Sequence, residues 1–100
     1  MSIIYEVNIK VSLDILDDYL SWLDKHISEI LDFDGFESAK IYKENVTSLD
    51  FFALTIHYSV SSKTALDSYF SNHAEIMRQK GVDRFGDNFS ATRRILEQIN

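Results

Sequence analysis

Residues Phe51–Val60 read FFALTIHYSV. Phe52, Leu54, Ile56, Tyr58 and Val60 alternate strictly, as the inward row of a β-strand does. The opposite row, Phe51, Ala53, Thr55, His57 and Ser59, also begins apolar, so this strand has something to bury on both faces. Outward from it, IIYEVNIKV (residues 3–11) alternates in the same way. Ile3, Tyr5, Val7, Ile9 and Val11 share one face, and Glu6, Asn8 and Lys10 share the other. FESAKIYKE (36–44) is a weaker strand, joined to 51–60 by the polar turn NVTSLD, which lacks the Asn-Gly hairpin signal. The last strand is SATRRILEQI, Ser90–Ile99. Its pattern puts Phe89, Ala91, Arg93 and Ile95 in the more apolar row and Ser90, Thr92, Arg94 and Leu96 in the other.

Between the strands the period changes. From Leu13 to Leu31 apolar residues recur at helical spacing (Leu13, Leu16, Leu20, Leu23, Ile27, Ile30), widened by Ile15, Tyr19 and Trp22. Ser12 is the expected cap, with Asp14 in the first turn, where the helix dipole favours a carboxylate. DFDG (32–35) ends that helix. A second helix is expected from a cap at Ser61 or Ser62 to about Gly81, with Leu66, Phe70, His73 and Met77 on its inner stripe. RFGDNF then turns into the last strand. Gly86 supplies the unusual backbone angles, Phe85 and Phe89 clamp the two ends, and Asp87 bonds backbone amides or an arginine.

The order strand, helix, strand, strand, helix, strand predicts an α+β chain forming a single domain over 1–100. Its simplest right-handed solution is a ferredoxin-like βαββαβ antiparallel sheet of spatial order 4-1-3-2, with both helices on one face. The other face then carries Phe51, Ala53 and Thr55 uncovered. Apolar surface of that kind usually marks an interface. Two such sheets packed face to face, about 10 Å apart, predict a homodimer.

Composition excludes several classes. A formal charge of −6 opposes nucleic acid, whose binders present a basic field to phosphate. The strand-3 signature of RNA-recognition modules is missing from DFFALTIHY. No stretch approaches the roughly 20 apolar residues of a membrane span, and MSIIYEVNIKV meets a charge too early for a signal peptide. With no cysteine, the chain has no thiol chemistry and suits a reducing compartment, so a cytoplasmic location is expected. The three histidines have no metal-ligand spacing, no glycine loop cradles phosphate, and no nucleophile elbow occurs. No cofactor is expected.

Taken along the chain, IIYEVNIKV, WLDKHISEIL and HAEIMRQKGVDRFGDNFSATRRIL resemble the small bacterial family called domain of unknown function 4286. The likeness spans essentially the whole chain and is most specific from His73 to Leu96. It implies a dimeric ferredoxin-like (α/β-barrel) fold and carries no activity with it. Dimeric α/β barrels at large include cofactor-free monooxygenases, haem-degrading enzymes and ligand-binding stress proteins, but fold alone does not assign function.

Three groups of residues could form a site. On the uncovered face, Asn8, His57 and Arg94, or Arg93 if a bulge shifts the register of the last strand, could hold a small anionic or carbonyl-bearing ligand, because an arginine fork suits a carboxylate. The simpler reading is that Glu6 or another carboxylate pairs with the arginine across strands. Between the helices and the sheet, Trp22, His26, Tyr69 and His73 could receive a planar ligand, and for a haem His73 is the better axial candidate. Fold maintenance explains both histidines as well. Arg93, in the inward row of an edge strand, is expected to anchor the rim by pairing with Asp14, Asp17, Asp18 or Asp87. An anion site there is the alternative. Whether the chain is an enzyme is open. The expected role is a cytoplasmic dimeric module with a binding or structural function. The alternatives are a cofactor-independent monooxygenase-like enzyme, or a haem or small-molecule binder, with its pocket between sheet and helices.

Overall fold

The computed structural model describes residues 3–45 and 48–100. Four strands, β1 (Ile3–Ser12), β2 (Phe36–Lys43), β3 (Phe51–Val60) and β4 (Phe89–Glu97), form one antiparallel sheet of order β2-β3-β1-β4. This is the strand order expected from the sequence; in place of two helices the chain forms three, α1 (Leu16–Leu31), α2 (Lys63–Asn72) and α3 (Ala74–Phe85). The NVTSLD turn lies partly outside the described residues. β4 ends at Glu97, two residues before the sequence pattern suggests. Among the described residues, no helix is long and apolar enough to cross a membrane.

The register follows from the alternation. Val7 stands opposite Ile56 on one side and Arg93 on the other, and Glu6 stands opposite His57 and Arg94. Among the described residues the one register shift is a bulge between Phe36 and Ser38 at the start of β2, opposite the end of β3. The inward rows of β1 and β3 meet Tyr19, Leu23, Ile27 and Ile30 of α1, Leu66 and Tyr69 of α2, and Met77 and Phe85 of α3 in one core. A fully buried side chain of this size contributes roughly 1.5–3 kcal/mol, so this layer holds the fold together.

The helices depart from expectation in three places. The continuous second helix is broken at His73, whose φ of −133° is not helical, and α3 then runs on through Gly81 to Phe85. The apolar stripe crosses the break without losing phase (Leu66, Phe70, Ala74, Met77, Gly81, Phe85), which is why periodicity does not reveal it. Gly81 marks a close approach, not an end. A Cβ there would lie 3.1 Å from Phe89 Cζ and 3.2 Å from the Trp22 ring. Ser12 makes no side-chain cap. Leu13–Ile15 form a 3-10 turn, and the Ser12 amide donates to the Asn88 carbonyl at 2.9 Å. Ser62 does cap α2, its hydroxyl accepting from the Ala65 amide at 3.1 Å.

The turn into β4 is built much as expected. Gly86 closes α3 at φ 60°, ψ −131°, a region open essentially to glycine alone, and Phe85 is buried beneath it. The bonding role expected of Asp87 falls to Asn88, whose side chain donates to the Phe85 carbonyl at 3.1 Å.

Candidate functional site: a cavity between sheet and helices

The structure divides the candidate residues among three places. Asn8, His57 and Arg94 gather on the open face, Trp22, His26 and Arg93 gather between sheet and helices, and His73 stands apart from both.

On the open face the centre is Glu6, only 4% exposed. Antiparallel register sets it between His57 and Arg94. Arg94 donates to its carboxylate through Nε and Nη2, Asn8 Nδ2 donates at 3.0 Å, and His57 Nε2 stands 2.8 Å from Oε1. Thr55 donates in turn to Asn8 Oδ1 at 2.7 Å. The Arg94 guanidinium, with Asn8 and His57, holds the Glu6 carboxyl at about 2 against the desolvation that would raise it. Every strong partner is thus satisfied by another side chain of the same sheet. The cross-strand pairing of Glu6 accounts for this group, while most of the Arg94 side chain stays in contact with solvent.

The inner side is different. A cavity of about 50 Å³ lies between β1, β3 and β4 on one side and α1, α2 and α3 on the other. Tyr5, Tyr19, Tyr58 and Tyr69 form much of its wall. Trp22 and His26, one helical turn apart on α1, stack with ring centroids 4.4 Å apart and planes at 19°. The His26 Nδ1 is buried with no hydrogen-bond partner. Burial lowers the pKa of its imidazole; nearby Glu29 opposes this, and Lys80 and Arg93 reinforce it. His26 is therefore neutral at pH 7. Burial also raises the hydroxyls of Tyr19, Tyr58 and Tyr69, the last to about 12, and the Arg93 charge works against it at all three.

Arg93 is not the anchored rim residue expected from the pattern. It keeps its place in the inward row, opposite Val7. Yet among the described residues no carboxylate lies within ion-pair distance of it, and it lines the cavity instead. Its side chain is exposed, so the charged end can stay in water without the acidic partner expected from Asp14, Asp17, Asp18 or Asp87. His73 does not join His26. The break between α2 and α3 leaves it exposed, stacked on Phe33 at 4.3 Å beside a hollow of about 230 Å³ that Asp32, Asp34 and Ser68 also line. This hollow is the larger of the two but contains no buried unpaired polar atom, so the inner cavity is the stronger site. A haem ligated through His73 would lie outside that cavity.

Two contributors escaped the sequence reading. Arg78 reaches the cavity from α3, its Nη2 donating to the Tyr5 hydroxyl at 3.3 Å. Gly81 lets Trp22 and Phe89 close on that helix. The signal for Arg78 was its place directly after Met77, at the border of the inner stripe. In the sequence Gly81 reads as a stop because glycine so often ends helices.

Comparison with known structures bears on the fold. The chain is similar to a conserved protein from Methanosarcina mazei at 13% identity, TM-score 0.73, covering 99% of this chain and 94% of that one. It is similar to a Deinococcus radiodurans protein described as a candidate antibiotic biosynthesis monooxygenase, at 9% identity, TM-score 0.75, covering 98% and 93%. It is also similar to a variant of SnoaB, a cofactor-independent oxygenase from Streptomyces nogalater, at 7% identity, TM-score 0.73, covering 98% and 94%. At such identities the likeness establishes a shared ferredoxin-like architecture and transfers no activity. No curated protein matches the chain. The family described as a domain of unknown function, DUF4286, matches residues 2–99, and with that span covered the chain belongs to the DUF4286 family.

Proposed function

We propose that this chain is one cytoplasmic ferredoxin-like domain that works as a homodimer and binds a small molecule in the cavity between its sheet and helices. One observation carries the binding reading: an aromatic cavity with a neutral imidazole whose Nδ1 has no partner. Buried polar atoms are nearly always hydrogen-bonded, and an exception calls for a reason. A ligand that completes the bond is such a reason, and enclosed apolar cavities with few polar groups are the usual form of ligand sites.

The homodimer reading rests on the open face, which no helix covers. Ile4, Tyr42, Phe51 and Leu96 lie around the Glu6 network there. That network satisfies its own charges, so a second sheet can cover it without stranding the carboxylate.

The test is a thermal-shift panel on the full chain, because a ligand that binds only the native state raises Tm. A hit must vanish in Ala91→Leu, which fills the cavity from β4 and leaves the open face untouched. A hit that persists in Ala91→Leu sites the ligand elsewhere and ends the reading. Light scattering on the same preparation should give twice the 11.6 kDa chain mass. A particle of single mass removes the homodimer.

A second reading, a cofactor-independent monooxygenase, is favoured by the likeness to SnoaB and by the neutral His26, which could accept a substrate proton. Oxygen uptake with reduced quinols, abolished in His26→Phe, would support it. Uptake unchanged in that variant would refute His26 as the base.

A further inference from the structure

The cavity is chemically one-sided. Its 17 lining residues include two arginines and no carboxylate, in a chain with 16 acidic and 10 basic side chains. Arg94, one residue from Arg93, finds Glu6. Among the described residues Arg93 finds no acid, and Arg78 meets the Tyr5 hydroxyl and the face of the Phe70 ring, 5.9 Å from its centroid, and no acid either. One guanidinium comes from the sheet and one from the helix layer. Both residues are exposed, so their stems can follow the apolar wall while their charged ends meet water. Burial keeps His26 neutral, so among the lining residues the positive charge belongs to the two arginines, while nearby Lys80 is paired with Glu29 at 2.8 Å.

We propose that the cavity takes a short organic monocarboxylate, with its carboxylate between Arg78 and Arg93 and its carbon chain among the aromatic rings. This rests on the cavity reading above. Charge selects the head group, because guanidinium pairs strongly with carboxylate. Volume selects the length. A water needs roughly 10–15 Å³ of such space and an engineered cavity of about 150 Å³ takes benzene. A cavity of about 50 Å³ therefore suits a chain of a few heavy atoms and not an aromatic acid.

Trp22 is the only tryptophan and lies in the cavity wall, so its emission reports occupancy. Sodium propionate is titrated into the full chain at fixed ionic strength, with propionamide as the uncharged match. The expected result is a saturable change in Trp22 emission and a raised Tm with propionate. Binding should be about tenfold weaker or more for propionamide, and for Arg78→Gln or Arg93→Gln with propionate. Equal affinity for propionamide, or indifference to both substitutions, overturns the carboxylate assignment and leaves the cavity as a neutral site. Silence with propionate while another compound of the panel binds and is lost in Ala91→Leu has the same meaning. Silence with every compound overturns the cavity reading as well.

Discussion

On the helix-covered face of the sheet Arg93 stands opposite Val7 without an acidic partner. One residue along, on the open face, Arg94 stands opposite Glu6 and binds it. The two arginines are neighbours in sequence and of one chemical kind, and the pleat alone sends them to opposite faces. The open face is organised by polar pairing: Glu6 is shielded by Arg94, Asn8 and His57, and the network is complete. The covered face is organised by packing, and its polar atoms at the cavity are left incomplete. A completed network contributes to folding, whereas an incomplete one keeps its bonding capacity for something else.

The sharpest test of that contrast compares neighbours on β3. Ile56, 1% exposed, belongs to the packed face, and Ile56→Ala should cost about 2–5 kcal/mol. His57→Ala, one residue on and across the sheet, should cost less than about 1 kcal/mol, because its partner keeps Arg94 and Asn8. Urea unfolding of both variants gives the difference. Equal losses would mean that the two faces contribute alike, and the contrast would fail.

Glu6→Gln is the next largest. It should cost about 1–3 kcal/mol at pH 7, less than the full shift implies because Arg94 stays in contact with solvent. The sign is fixed by the direction of the shift. The folded carboxyl titrates at about 2 rather than 4.5, so its contribution is complete above pH 4.5 and lost as pH falls toward 2. Stability curves of the parent and Glu6→Gln should therefore converge across that window. Parallel curves would show that the network does not stabilise the fold through charge.

The smallest expected effect is at the cavity. His26→Phe removes the unpaired nitrogen and keeps a ring on Trp22, so stability at pH 7 should stay within about 1 kcal/mol of the parent or rise slightly. Because burial lowers the folded pKa of His26, the unfolded chain takes up its proton first. Parent stability should then decline as pH falls below about 6.5, and His26→Phe should lack that part of the decline. A loss of several kcal/mol at pH 7 would make His26 a packing residue and not a ligand group.

Much of the fold was legible because alternation along β1, β3 and β4 is nearly unbroken. Period two assigned Glu6, His57 and Arg94 to one face and Arg93 to the other, as observed. The break at His73 was not legible, since a stripe of Leu66, Phe70, Ala74, Met77 and Phe85 reads the same through a kink as through a straight helix. That break is why the grouping of Trp22, His26 and His73 came apart. The polar strip expected on the open face is there, with Glu6, Asn8, Thr55, His57 and Arg94 at its middle, but Ala53 and Thr55, expected to lie uncovered, are buried.

The order of side chains by itself determined the strands, their inward rows and the sheet order, because hydrophobic burial acts on a period that a linear chain displays openly. Only the tertiary structure decided which polar groups find partners. Pairing depends on distances between segments far apart in the chain, such as Glu6 with Arg94, and on where α1 and α3 come to rest over the sheet. The same physics therefore left Arg94 bound and Arg93 free, a distinction that two adjacent arginines in a sequence cannot express.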